Sequence, residues 1–213
     1  VAVPPLANLL EKDHSGVYQR LVERALEPLD TEIEQLFYPY RRSLKVFHEE
    51  RVDCIFSLTT VLEKRFGEDE LVQSYPLGKF VFYIFTPAGQ PPVKSLNELE
   101  DRVVGGIMGH EVYLEPVLGE NYGLEQVRTE EQAVRMLELG RIDAFIAAMP
   151  DIRPFLERLN YSPEHPLLQS FDRLNCHNTP RNRAFIRSLS RELKKLKEQG
   201  AYQEEAKELY VPF

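Results

Sequence analysis

No run of apolar residues in this chain approaches the roughly 20 needed to cross a bilayer, and residues 80–85, among the longest, have the length of a strand. Chemical signatures are missing too. There is no Gly-x-Ser-x-Gly elbow, no phosphate-cradling Gly-Lys-Ser/Thr loop, no His-Glu-x-x-His pair and no EF-hand loop, so hydrolase, kinase and metalloenzyme readings lack their usual chemistry. The five histidines, His14, His48, His110, His165 and His177, show no metal-ligand spacing. Only two cysteines occur, Cys54 and Cys176, and neither belongs to a CxxC pair, which argues against a thiolate metal site. Cys54 lies in an apolar, strand-like run, where a buried free thiol is the expectation; a Cys54–Cys176 disulfide is the alternative in an oxidising compartment. An excess of positive charge is also absent. With 26 Lys and Arg against 34 Asp and Glu, the net charge is −8, a field that repels nucleic acid and anionic lipid. The most basic stretch, residues 181–197, is interleaved with Phe185, Ile186, Leu189, Leu193 and Leu196 and reads as an amphipathic helix with a solvated cationic face.

What is present describes an ordinary globular chain, 43% hydrophobic and 28% charged over 213 residues, a length at which two modest lobes become favourable. It opens on Val1-Ala2-Val3 with no basic-then-apolar leader, as expected of a mature or trimmed chain, so no signal peptide reports its compartment. Ser15 is placed to cap a helix striped by Val17, Leu21, Val22, Ala25 and Leu26 and stopped by Pro28. A strand over 32–38, a helix over 41–50 and a strand over 52–56 complete a β-α-β-α-β opening that favours a parallel sheet. A strand over 80–86 precedes Pro87, Gly89, Pro91 and Pro92, where a boundary is expected. A second α/β unit follows: a short helix over 96–99, a strand over 103–107, and a helix after Gly109. Thr129 and Gln132 form a capping box for a helix over 130–139, which Gly140 ends before a strand over 142–146. Residues 167–171 return as a strand, and residues 182–210 read as two helices broken at Gly200. The halves echo each other, since Arg51-Val52-Asp53-Cys54-Ile55-Phe56 matches Arg141-Ile142-Asp143-Ala144-Phe145-Ile146, each after an amphipathic helix.

Several of these pieces stand in a familiar order. They are Gly16-Val17, Tyr38-Pro39-Tyr40, the stretch from Val52-Asp53 to Arg65, Ser74-Tyr75-Pro76, and Ser95-Leu96-Asn97-Glu98-Leu99. Gly105-Gly106-Ile107-Met108-Gly109, the stretch from Glu131-Gln132-Ala133 to Ala144, and Leu193 to Tyr202 with its Gly200 follow. Over essentially the whole chain this order resembles the bacterial extracellular solute-binding protein family 3, which serves polar amino-acid ABC transporters. The resemblance implies an α/β, two-lobed periplasmic-binding-protein type II fold, each lobe a mostly parallel sheet flanked by helices, with a two-strand hinge. It implies a discontinuous first lobe, residues 1–84 and 172–213, and a second over 85–171, with crossings near 82–87 and 168–174. It further implies a monomeric, non-enzymatic protein of the periplasm or extracellular face, without metal or cofactor. Such a protein holds a small molecule between its lobes and hands it to an ABC permease; a receptor ectodomain is the alternative on the same fold.

The resemblance also places the site. Arg65 lies twelve residues after Asp53, where amino-acid binders hold the ligand carboxylate; a guanidinium offers two parallel N–H groups and never titrates away. A surface ion pair with Glu63, Glu68 or Asp69 is the plain alternative. Thr60 matches the family's hydroxyl donor, with Ser57 and Thr59 beside it, and Tyr40 is placed as a stacking wall or a core residue, with Arg42 as a second cation. On the second lobe, Gly109-His110 stands where the family has Gly-Thr or Gly-Ser at a helix start, a position that attracts anions. His110 there is either a ligand donor, a pH-sensitive group or a surface cap. The acid that pairs with an α-ammonium in the family is replaced by Ala148, between Ala147 and Met149. An ammonium would then be buried without a partner unless some other carboxylate substitutes, so the expected ligand is a carboxylate-bearing or otherwise polar molecule other than an ordinary L-α-amino acid. Some relatives of the fold are dehydratases using a crevice carboxylate, for which Glu111 is the nearest candidate; Glu in a first helical turn is also simply favourable with the dipole.

Overall fold

A computed structural model describes residues 1–119 and 122–213 of the chain. In chain order the elements are β1 (Ala2–Val3), α1 (Val17–Leu26), β2 (Leu36–Phe37), α2 (Tyr40–His48), β3 (Cys54–Leu58), α3 (Thr59–Phe66), β4 (Leu71–Gln73) and β5 (Gly78–Pro87). They continue with β6 (Val104–Ile107), α4 (Glu111–Leu118), β7 (Glu125–Val127), α5 (Glu130–Glu138), β8 (Ala144–Met149), β9 (Leu159–Asn160), β10 (Leu168–His177), α6 (Pro180–Glu198) and α7 (Ala201–Ala206). The residues 96–99 expected to be helical form a 3₁₀ turn. The chain divides into two compact units, one of Val1–Lys79 with Phe171–Phe213, the other of Phe80–Ser170. It passes between them along β5 and β10.

In the first unit β2, β1 and β3 run parallel, and β10 pairs antiparallel with β3 and with β4. The parallel strands are the expected product of β-α-β connections. The stripe on α1, with Leu21 and Ala25 fully buried, packs on α6 through Ile186, Leu189 and Leu193. Burying a side chain of Leu or Ile size is worth roughly 1.5–3 kcal/mol, so this helix pair is a main source of the unit's cohesion. The basic face of α6 stays outside, as the amphipathic pattern requires. Arg20 and Arg24 of α1 both meet Glu205 of α7, at 2.6 and 2.7 Å.

Two expectations are corrected here. The N-cap of α1 is Gly16, not Ser15: Gln19 Oε1 accepts from the Gly16 N–H at 3.1 Å, and Ser15 turns its hydroxyl to Asp13 at 2.6 Å. Any side chain at Gly16 would run into the Leu9 carbonyl, which favours glycine there. Cys54 is also not a free thiol. The antiparallel register of β3 and β10 sets Cys54 directly opposite Cys176, and the two form a disulfide. Sequence separation of 122 residues had concealed a pair that the strand pairing makes adjacent.

In the second unit β7, β6 and β8 run parallel, β5 is antiparallel to β8, and β9 caps the end of β5. Thr129 accepts from the Gln132 N–H at 3.1 Å and Gln132 Oε1 accepts from Arg128 N–H at 3.0 Å, which starts α5 through side-chain capping at Thr129 and Gln132. The sequence echo is structural. Arg51 N–H donates to the Val46 carbonyl at 3.0 Å and Arg141 N–H to the Met136 carbonyl at 2.9 Å, each closing a helix before Val52 or Ile142 turns inward and the strand begins. The turn residues preceding these arginines, Glu50 and Gly140, both take positive φ, 55° and 63°, the left-handed exit common at helix ends.

Candidate functional site

The carboxyl end of β3 and the first turn of α3 hold three of the predicted residues together. Ser57 is buried and shares a 2.6 Å hydrogen bond with the Tyr40 hydroxyl from the first turn of α2. Thr59 starts α3, and its Oγ1 is buried without a hydrogen-bond partner among the described residues. Thr60, half-buried, follows in the same turn. Arg65 lies in the last turn of α3 and is exposed. An α-helix rises 1.5 Å per residue, so the Arg65 backbone sits more than one turn along the axis from Thr60, and only its long side chain can bring its charge near the hydroxyls. Arg42 stands with its guanidinium 4.9 Å from the Tyr38 ring centre, a cation–π contact at the surface.

In the second unit, Gly109 takes φ +91°, a conformation that L side chains rarely adopt, and so turns the chain from β6 into α4. Its N–H, the donor expected for an incoming anion, already donates to Glu111 Oε2 at 2.6 Å. His110 is the N-cap of α4; its ring meets Tyr113 edge-on with centroids 5.6 Å apart. Burial pushes the His110 pKa down to about 4, with the Glu111 carboxylate opposing. It is therefore a neutral imidazole at physiological pH, able to donate one hydrogen bond and accept another. Ala148 is 1% exposed within β8, opposite Phe82 of β5.

Sequence reasoning missed three residues. Asp151, just past β8, has a carboxyl pushed up to about 7 by burial and then by Glu130. An acid directly following an apolar strand was the available signal. Arg173 and Asn175 lie on β10, which the sequence reading treated only as a hinge strand; their alternation with apolar Leu174 and Cys176 was the pattern to notice. Asn175 is fully buried, and its Nδ2 donates to the Ser57 carbonyl at 3.1 Å and the Arg173 carbonyl at 2.9 Å. No group of three or more His, Cys, Asp or Glu side chains able to hold a metal ion occurs among the described residues.

No protein-family model matches the chain, and no curated protein matches it. Solved structures do. The GluR0 ligand-binding core from Nostoc punctiforme, in complex with L-glutamate, superposes with TM-score 0.71 at 16% identity, over 99% of this chain and 98% of that one. ArtJ, the arginine-, lysine- and histidine-binding protein of Geobacillus stearothermophilus, gives 0.67 at 17% identity, over 99% and 94%. A histidine kinase sensor domain with similarity to periplasmic binding proteins gives 0.66 at 18% identity, over 100% and 97%. The chain thus has the α/β fold of the two-lobed periplasmic binding proteins.

Proposed function

We propose that this protein is a solute-binding protein that captures a small, carboxylate-bearing molecule and leaves it chemically unchanged. The observation that carries the reading is the carboxyl end of β3, where Tyr40, Ser57 and Thr59 gather hydroxyl groups and Thr59 Oγ1 is left unsatisfied. Open α/β sheets bind ligands at such strand ends. In this reading Arg65 is the candidate for the ligand carboxylate, His110 a candidate hydrogen-bond donor and Ala148 a candidate apolar contact. With alanine at that position, and unless another carboxylate such as Asp151 just past β8 takes its place, an ordinary L-α-amino acid would bury its ammonium without a counter-charge, so the ligand carries a less charged or apolar remainder. The Cys54–Cys176 disulfide supports a periplasmic or extracellular setting, and no described helix is long and apolar enough to cross a membrane. Delivery to an ABC permease by a monomer completes the proposal.

A sensing role is the second reading, favoured by the GluR0 core and the histidine kinase sensor domain among similar structures. A membrane segment encoded next to residue 213 in the gene would decide for it. For either reading, the refolded, ligand-stripped protein is screened by thermal shift against amino acids, keto acids, dicarboxylates and small aromatic acids. Ligand at a hundredfold excess over Kd stabilises by about 2.7 kcal/mol, which for a chain of this size raises Tm by roughly 5–10 °C. The expected result is a saturable rise with the molecule recovered unchanged, and Arg65→Ala weakening binding by about 2–5 kcal/mol where the ligand buries the pair. Consumption of the molecule would establish an enzyme instead, and no shift anywhere in the screen would refute the binding role.

A further inference from the structure

We propose that Arg173 is a ligand anchor, binding the carboxylate of a small molecule through its Nε edge, while Asn175 Oδ1 accepts a hydrogen bond from a donor on the same molecule. This rests on the solute-binding reading and adds two residues on a strand that reading did not use. The antiparallel register sets Arg173 opposite Ser57, Asn175 opposite Ile55 and, on the other side, opposite Gln73. Directly paired residues share a face and successive residues alternate. Ser57, Gln73, Arg173 and Asn175 therefore share one face of the first unit's sheet, and the Cys54–Cys176 and Phe56–Leu174 pairs share the other.

The polar face is largely but not fully satisfied. Tyr40 meets Ser57, Gln73 Nε2 donates to Glu63 Oε1 at 2.8 Å, and Arg173 Nη1 donates to the Ser74 carbonyl at 2.7 Å. Asn175 Nδ2 is shared between two carbonyls. Arg173 Nε, Asn175 Oδ1 and Thr59 Oγ1 remain buried without partners among the described residues. Leaving such a group unsatisfied costs about 1–3 kcal/mol each, and buried polar atoms are rarely left that way. Three orphans lie close together in the chain's pairing scheme, around the carboxyl end of β3, and they offer two donors and one acceptor.

An arginine with a purely structural role would spend its fork on a carboxylate. Arg173 does not: it is held by one backbone carbonyl and by the Phe171 ring, 5.4 Å from its guanidinium. Glu63 is near enough to oppose the downward pull of burial on the Arg173 pKa, yet it is occupied by Gln73. With Nη1 anchored on the opposite side, the unpartnered Nε lies on the side-on edge of the guanidinium, which suits a planar carboxylate.

The test uses wild type, Arg173→Gln and Arg173→Lys, each followed by melting and by calorimetric titration with succinate, 2-oxoglutarate, L-glutamate and benzoate. At least one probe is expected to bind wild type, to bind Arg173→Gln at least tenfold more weakly, and to recover part of its affinity in Arg173→Lys. Without probe, both variants are expected to melt within a few degrees of wild type. Equal affinity in Arg173→Gln overturns the assignment while leaving the solute-binding reading intact. A probe-free collapse of melting in both variants also overturns it, because that marks a structural arginine. If no probe binds wild type, the solute-binding reading fails and this inference with it.

Discussion

The two units carry the same junction with opposite chemistry beyond it. Arg51-Val52-Asp53 and Arg141-Ile142-Asp143 each close a helix by the same backbone hydrogen bond and launch a buried strand. The first strand then ends in Ser57 and Leu58 and passes into Thr59 and Thr60 of α3, with Arg173 and Asn175 across from the strand. The second ends in Ala147, Ala148 and Met149, across from Tyr83, Phe82 and Val81. A shared junction fixes where a strand ends; the residues after it decide what that end can bind. Polar side chains at the strand end are concentrated in the first unit. The second offers an apolar strand end, a neutral His110, and a helix start whose Gly109 N–H is already held by Glu111.

The largest effect should come from the staple that only the first unit has. Replacing Cys54 and Cys176 by alanine opens a loop of more than a hundred residues, for which removal of a disulfide costs about 2–5 kcal/mol. Guanidinium denaturation of the double variant should show that loss, and ligand affinity should fall with it, because β3 and β10 carry the polar face. Undiminished affinity after loss of the disulfide would show that the face keeps its register without the staple.

Much of this architecture is legible in the sequence. The α1 stripe, the Thr129 N-cap, the Gly200 break and the paired Arg-x-Asp junctions all appear where periodicity and capping residues place them, although Gln132 closes back on Arg128 N–H instead of completing a capping box. These are local signals, set within a turn or two of the residues that carry them. What escaped depends on strand pairing. The Cys54–Cys176 disulfide and the Ser57–Arg173 cross-strand pair join residues more than a hundred positions apart, and no periodicity along one segment reports its partner. Gly16 displaced Ser15 as the cap for a similar reason, since the decisive obstacle is the Leu9 backbone. Asp151 was missed because burial, not spacing, makes it unusual.

The next effect concerns pH and the second unit's strand end. Asp151 has a raised pKa in the fold, about 7, so its protonated form favours folding and that contribution is lost as pH rises from about 4 through 7. His110 has a lowered pKa, about 4, so its neutral form favours folding and its contribution is lost as pH falls from 6.5 toward 4. Between pH 4 and 6.5 the two slopes oppose. Asp151→Asn should therefore unmask a stability that rises through that window and levels above it, with a gain of a few kcal/mol, about 4 at most, at pH 8. His110→Gln should unmask the reverse slope. Denaturant midpoints across pH 4–8 measure both, and parallel pH profiles in wild type and Asp151→Asn would remove Asp151 from the account.

The smallest effect sharpens the comparison most directly, because it asks whether the second unit's anion position is vacant or already served. Glu111 Oε2 accepts the Gly109 N–H at 2.6 Å, on an exposed turn where a charge-assisted bond and a favourable place at the helix start are each worth well under the buried-site values. Glu111→Gln keeps an acceptor but removes the charge, and should cost about 0.3–1 kcal/mol of stability. Its effect on binding separates two roles. If Glu111 merely caps the turn, affinity for a carboxylate is unchanged, and the asymmetry between the units stands. If instead the carboxylate repels an arriving anion, the neutral variant binds it more tightly, and the Gly109 amide becomes a second point of anion contact rather than a closed one. Affinity measured at low and at 0.15 M salt makes the distinction, since a gain from removing repulsion shrinks as the screening length falls toward about 8 Å.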